Sequence, residues 1–145
     1  MTTPAALASA LIFLWLGMVV AISFIEAPLK FRAPGVTLPI GLGIGRLVFR
    51  ALNGVEVVLA LVIAVALASA GPGSGVPVAF AVAAIALVGQ LLAVRPALTK
   101  RSDAVLAAGP DADSLPRSRA HLVYVGLELV KVIALVTAGT VLLAG

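Results

Sequence analysis

From residue 5 to residue 25 the chain carries no charged side chain, and the stretches 45–70, 77–94 and 119–143 are almost as apolar. A membrane-spanning helix needs about 20 predominantly apolar residues, because the hydrocarbon core is about 30 Å thick. Four such stretches predict an all-α fold, a four-helix transmembrane bundle, within one integral membrane domain covering residues 1–145. Of the 145 residues, 62% are hydrophobic and only 11% are charged, whereas soluble domains are about a quarter charged. The first stretch has no basic residue ahead of it and is too long for the apolar core of a signal peptide, so it reads as a retained span.

The acids are sorted. Asp103, Asp111 and Asp113 share one polar loop, while Glu26, Glu56 and Glu128 lie in or at the edge of the apolar stretches. A carboxylate surrounded by hydrocarbon is costly, so it is normally paired and faces a bundle interior or a functional site.

The basic residues set the orientation. Lys30, Arg32, Arg46 and Arg50 belong to the 26–44 loop and the start of the second span. Arg95, Lys100, Arg101, Arg117 and Arg119 belong to the 95–118 loop and its border with the fourth span. The opposite side has no basic side chain. The positive-inside rule then puts both basic loops in the cytoplasm and both termini on the outer side. The richness in alanine, valine and leucine, with arginine favoured over lysine, points to a GC-rich bacterial genome and hence to a bacterial plasma (inner) membrane. The same charge on a soluble chain would suggest nucleic acid. On this chain it does not, and no nucleic-acid partner is expected.

Three prolines, Pro28, Pro34 and Pro39, interrupt the first basic loop and predict that no regular helix survives there. The run 96–108 reads as a short surface helix or a kinked extension of the third span. Pro77 suits the first turn of that span, and Ser114 or Ser118 suits the cap of the fourth. The breaker at 71–75 is short, so spans two and three should form an antiparallel hairpin. No internal repeat is apparent.

Helical projection gathers the polar residues into stripes. At about 100° per residue, His121, Tyr124, Glu128 and Lys131 fall within an arc of about 80°. Arg46, Arg50, Asn53 and Glu56 form a similar stripe, and Trp15, Ser23 and Glu26 share one face of the first span. The third span offers little beyond Gln90. Stripes facing lipid are untenable, so they should turn inward and meet. Glu56 and Lys131 reach similar depth from the basic side and form a predicted ion pair. Glu128 is expected near Arg50 or Asn53, and Glu26 near Arg46 or His121.

Other signals are weaker. The glycine run 41–45 before Arg46 can hold an anion such as a lipid phosphate at a helix N-terminus. Close packing, through the Gly41/Gly45 spacing, explains it better. Trp15 either lines the interior or faces lipid. Without cysteine and with one histidine, a disulfide framework, a thiolate metal site and a bis-histidine haem within one subunit are excluded. No catalytic set, metal site or cofactor is assigned.

The residues Trp15-Leu-Gly17, then Phe24 through Phe31 around Pro28, then Arg46-Leu-Val-Phe49-Arg-Ala-Leu52 resemble bacterial four-helix membrane proteins of unknown function related to transmembrane protein 205. Arg119-Ala-His121 echoes the same pattern. The resemblance implies the four-span layout and no mechanism. Glu26, Lys30 and the glycine run lie outside it.

Three functions fit the stripe Glu26, Arg46, Arg50, Asn53, Glu56, His121, Tyr124, Glu128 and Lys131. The chain binds or moves a small charged or amphipathic ligand, or protons. Or it is an accessory subunit of a membrane complex, with the pairs setting only helix packing. Or it is a membrane enzyme acting on a lipid or quinone, with a glutamate or His121 as acid or base. The balance leans away from an enzyme. The lipid bilayer is the first partner. Four helices around a charged seam are narrow for a channel, so transport calls for a homo-oligomer or a larger membrane complex.

Overall fold

A computed structural model describes residues 1–114 and 119–145. Among these residues there is no strand, and four helices are long and apolar enough to cross a membrane. They are α1 (Thr3–Lys30), α2 (Leu38–Ala70), α3 (Gly75–Asp111) and α4 (Arg119–Ala144). The Thr2 and Thr37 hydroxyls accept hydrogen bonds from the Ala5 and Ile40 N–H groups at 3.3 and 3.4 Å. Each threonine precedes a first turn holding a proline, Pro4 or Pro39, where a missing N–H leaves no bond unmade. Gly71 ends α2 at φ 60°, a left-handed conformation that glycine adopts without strain. The capping role expected of the Ser114 or Ser118 side chain, and the place of Arg117, lie outside what the structure describes.

The 26–44 segment departs from expectation, because it is mostly helical. α1 runs through to Lys30 and α2 begins at Leu38, so the linker is only 31–37. The cause is a π-helical segment, Val20–Glu26, in which the Ala27 N–H reaches back to the Ile22 carbonyl. A proline lacks an N–H and its ring crowds the carbonyl four residues earlier. Widening the turn ahead of Pro28 relieves that conflict. α3 uses the same device. Gln90–Val94 is π-helical, the Arg95 N–H bonds the Gln90 carbonyl, and Pro96 follows. The 96–108 run therefore continues α3 and is not a separate surface helix.

α1 packs against both α2 and α4, while α3 lies along α4. The short turn joins α2 to α3, which run antiparallel as expected, so that Arg46 near the start of α2 meets Asp103 near the end of α3, yet the two touch little along their spans. Their contact comes mainly through the α3 extension at Arg95–Ala108. α3 buries Ala79, Ala83 and Ala86, and α4 buries Ala134 and Ala138. Small residues let backbones approach closely. Gly139 of α4 takes the Phe13 ring of α1, which a Cβ would meet at 2.7 Å.

The half of the bundle around the 71–75 turn is filled by an apolar core that includes Ile12, Ile63, Ala83, Leu135 and Ala138. Leu14, Leu61, Ile85 and Ile133 point outward. Thr137 and Thr140 also face out, and their hydroxyls bond back to the Ile133 and Val136 carbonyls. That leaves neither hydroxyl unsatisfied on an apolar surface. At the other end Arg46 of α2 meets Asp103 of the α3 extension at 2.8 Å.

Candidate functional site

The polar stripes converge at the border between the apolar core and the basic end. Lys131 of α4 is fully buried, and its Nζ lies 2.5 Å from Glu56 Oε1 of α2 and 2.5 Å from Glu128 Oε1 one helical turn away. The predicted Glu56–Lys131 pair is thus one of two ion contacts in a triad. Glu56 also accepts from Trp15 Nε1 at 3.0 Å and from Asn53 Nδ2 at 2.8 Å. Asn53 donates as well to the Tyr124 hydroxyl at 3.3 Å. Glu128 accepts from Gln90 Nε2 at 2.7 Å and from the Ser23 hydroxyl at 2.5 Å. All four helices contribute. Glu56, Asn53, Gln90, Glu128 and Lys131 are at most 3% exposed, a depth at which charges and amides persist only when paired.

Three expectations need correction. Glu128 meets neither Arg50 nor Asn53. Arg50 is exposed, because the stripe on α2 is wider than the interior seam. Glu26 meets neither Arg46 nor His121, and its partner is Lys30 at 3.6 Å, one turn along the same continuous helix. That contact exists because α1 does not stop at residue 25. The glycine run does not precede a helix N-terminus either. It lies inside α2, where Gly41 makes room for the Phe31 ring and Gly45 for the Lys30 ammonium, which an added Cβ would meet at 2.8 Å. The anion-binding reading loses its geometry, and the packing reading holds between these side chains and a helix rather than between two helices. Trp15, expected inside or facing lipid, is inside and 0% exposed.

Above the triad, toward the basic end, a cavity of about 390 Å³ opens between all four helices. Ser23, Tyr124 and Glu128 form its floor. Phe24, Phe31 and Phe49 give it apolar walls, and Lys30, Arg46, Arg95 and His121 stand toward its mouth. Lys30 lies 5.6 Å from the centroids of both the Phe31 and Phe49 rings, a favourable placement for a cation over aromatic faces. Phe49 in turn meets Tyr124 edge to face at 5.5 Å. The arrangement offers a concave, largely apolar space with a few convergent polar groups, the usual form of a small-molecule site.

The polar residues recur between the two halves of the chain. Arg46, Phe49, Asn53 and Glu56 of α2 correspond in spacing to His121, Tyr124, Glu128 and Lys131 of α4, each 75 positions later. Two corresponding pairs, Phe49–Tyr124 and Glu56–Lys131, touch across the bundle. No repeat is visible in the apolar sequence between them. Sequence reasoning also left Gln90, Ser23 and Arg95 outside the site. Their signal was position: Ser23 and Gln90 are lone polar residues inside apolar runs, shortly before Pro28 and Pro96. The π-helical segments those prolines require contain both residues.

The fold and site together define an all-helical bundle with four membrane-length helices, as in multi-pass membrane proteins, and a buried ion network under a cavity at one end. Comparison with family models, curated proteins and solved structures matches nothing.

Proposed function

We propose that this chain is a multi-pass protein of the bacterial inner membrane with both termini on the outer side. In this reading it binds a small charged or amphipathic ligand in the cavity at its cytoplasmic end. One observation carries the reading: Glu128 belongs to the buried ion network and is also the floor of open space of about 390 Å³. A network that serves only to register helices has no need of a cavity against it.

The two glutamates then have different parts. Glu56 is satisfied by three donors, Lys131, Trp15 and Asn53, and holds α2 to α4 and α1. Glu128 faces the ligand. From Glu56 to the end of α2 is about 14 residues, or about 21 Å of helix. Within a hydrocarbon layer about 30 Å thick, the network therefore sits nearer the cytoplasmic boundary than the outer one. The apolar core beyond it supports binding from one side rather than conduction through a single chain. The positive-inside rule supports the orientation. Kinship with the family related to transmembrane protein 205 is proposed for the layout alone.

Native mass spectrometry of the protein released gently from its own membranes tests this. The expected result is a reproducible small-molecule adduct that is lost in Glu128→Gln. A bare chain held by other polypeptides would instead support the accessory-subunit role.

A further inference from the structure

The cavity has a polarity. Two carboxylates, Glu56 and Glu128, face one ammonium, Lys131, so the buried cluster carries a formal charge of minus one. Its unmet hydrogen-bonding atoms have the same bias. The side-chain oxygens of Asn53 and Gln90 are buried without a partner, and both are acceptors. Both side chains belong to the cluster, because their amide nitrogens donate to Glu56 and Glu128. Of this cluster Glu128 alone lines the cavity, so what the floor presents to the cavity is the excess negative charge. Such a charge is costly in a dry interior unless it is paired.

The mouth has the opposite need. Lys30 is paired with Glu26 and Arg46 with Asp103. Arg95, half-buried in the cavity wall, has no carboxylate partner among the described residues. It follows the π-helical segment that begins at Gln90 on α3, and Gln90 is level with Glu128 through their 2.7 Å hydrogen bond.

We infer that the ligand of this cavity is a zwitterion that enters ammonium first. The ammonium lies against Glu128 Oε2 and the Ser23 hydroxyl, and the anion lies against the Arg95 guanidinium. The inference rests on the cavity reading above and adds the ligand class and its direction. That pairing of charges is the pattern of an amino acid or of an ethanolamine phosphate. That chemistry is shared by a free solute and a lipid headgroup.

The test is thermal unfolding of the full chain in neutral detergent with 6-aminohexanoate, hexylamine, hexanoate, a short-chain phosphatidylethanolamine or the matching phosphatidylglycerol. The expected result is a rise in Tm with 6-aminohexanoate or with the phosphatidylethanolamine, the first marking a solute and the second a lipid. The single-charge probes should bind about tenfold more weakly or worse, the equivalent of one lost charge-assisted hydrogen bond. Glu128→Gln and Arg95→Gln should each weaken the zwitterion by a similar factor. If Glu128→Gln does not fold, Ser23→Ala and Arg95→Gln carry the comparison. Hexanoate or phosphatidylglycerol binding as well as the zwitterions would overturn the polarity. So would hexylamine matching 6-aminohexanoate, or zwitterion affinity unchanged in the variants. No response to any probe, with a native adduct still present by mass spectrometry, would overturn the zwitterion and leave the cavity reading standing. No adduct either would overturn both.

Discussion

The Lys131 ammonium of α4 meets the Glu56 carboxylate of α2 at 2.5 Å with both side chains fully buried. Because Glu128 approaches the same ammonium at 2.5 Å, the unit is two acids to one base. This changes what each substitution leaves behind. From a simple pair, Glu56→Gln would strand a lysine. In the triad either glutamate can be neutralised and a balanced pair remains.

Lys131→Met strands two carboxylates and is expected to destabilise the protein by about 3–5 kcal/mol, as when a buried pair loses one partner. Glu128→Gln should cost only about 1 kcal/mol, the scale of one altered hydrogen bond. Changing both Glu56 and Glu128 to Gln isolates the ammonium and should return to the larger loss. Denaturant titration in detergent measures the series. Equal losses for Lys131→Met and Glu128→Gln would mean the triad does not operate as described.

Trp15 is the chain's one tryptophan. It donates to Glu56 at 3.0 Å and meets Phe80 edge to face at 6.5 Å. Trp15→Phe keeps an aromatic ring but removes the donor and part of the indole's volume, with an expected cost of about 2–3 kcal/mol. Trp15→Ala also empties the core and should cost about 3–5 kcal/mol. The difference between the two, read from unfolding midpoints, measures what the remaining aromatic ring contributes by packing; equal losses would contradict its place in the core.

The three glycines at the start of α2 should respond differently to alanine. Gly43 faces open space, so Gly43→Ala should stabilise by up to about 1 kcal/mol through helix propensity. Gly41→Ala drives a Cβ into the Phe31 ring and should lower Tm. Gly45→Ala meets only the far end of the Lys30 side chain, which can swing away, so it should fall between them. A uniform rise across all three would contradict the cradles.

Topology is tested by reporters at the C-terminus. Alkaline phosphatase, which folds only outside the inner membrane, should be active there, and a cytoplasm-dependent fluorescent protein should be dark. The reverse pattern would place the cavity on the outer side.

The four spans were legible because uncharged length is a one-dimensional property, and the inward turn of Glu56, Asn53, Tyr124, Glu128 and Lys131 followed from helical projection. What escaped depended on local backbone geometry. Pro28, read as a helix breaker, is instead absorbed by a π-helical segment, and a second such segment ahead of Pro96 joins the 96–108 run to α3. The first carries α1 on to Lys30 and gives Glu26 a partner on its own helix. The π-helical segments contain Ser23 and Gln90, both bonded to Glu128. Arg50 failed as a site residue because a projected arc does not say how much of it the neighbours cover. Gly41 and Gly45 read as packing residues, but what packs on them, Phe31 and Lys30, lies where the extended α1 meets the linker, which projection does not describe.

The central claim is that the floor at Glu128 is reached by solute from the basic end and not from the other. The chain has no cysteine, so single cysteines report without background. Ser23→Cys and Thr99→Cys in cytoplasm-out vesicles should react with a small charged thiol reagent, and Ala138→Cys in the apolar core should not. Prior 6-aminohexanoate should slow the reaction at Ser23→Cys. The same pattern from the outer side, or silence at both Ser23→Cys and Thr99→Cys, would contradict the account.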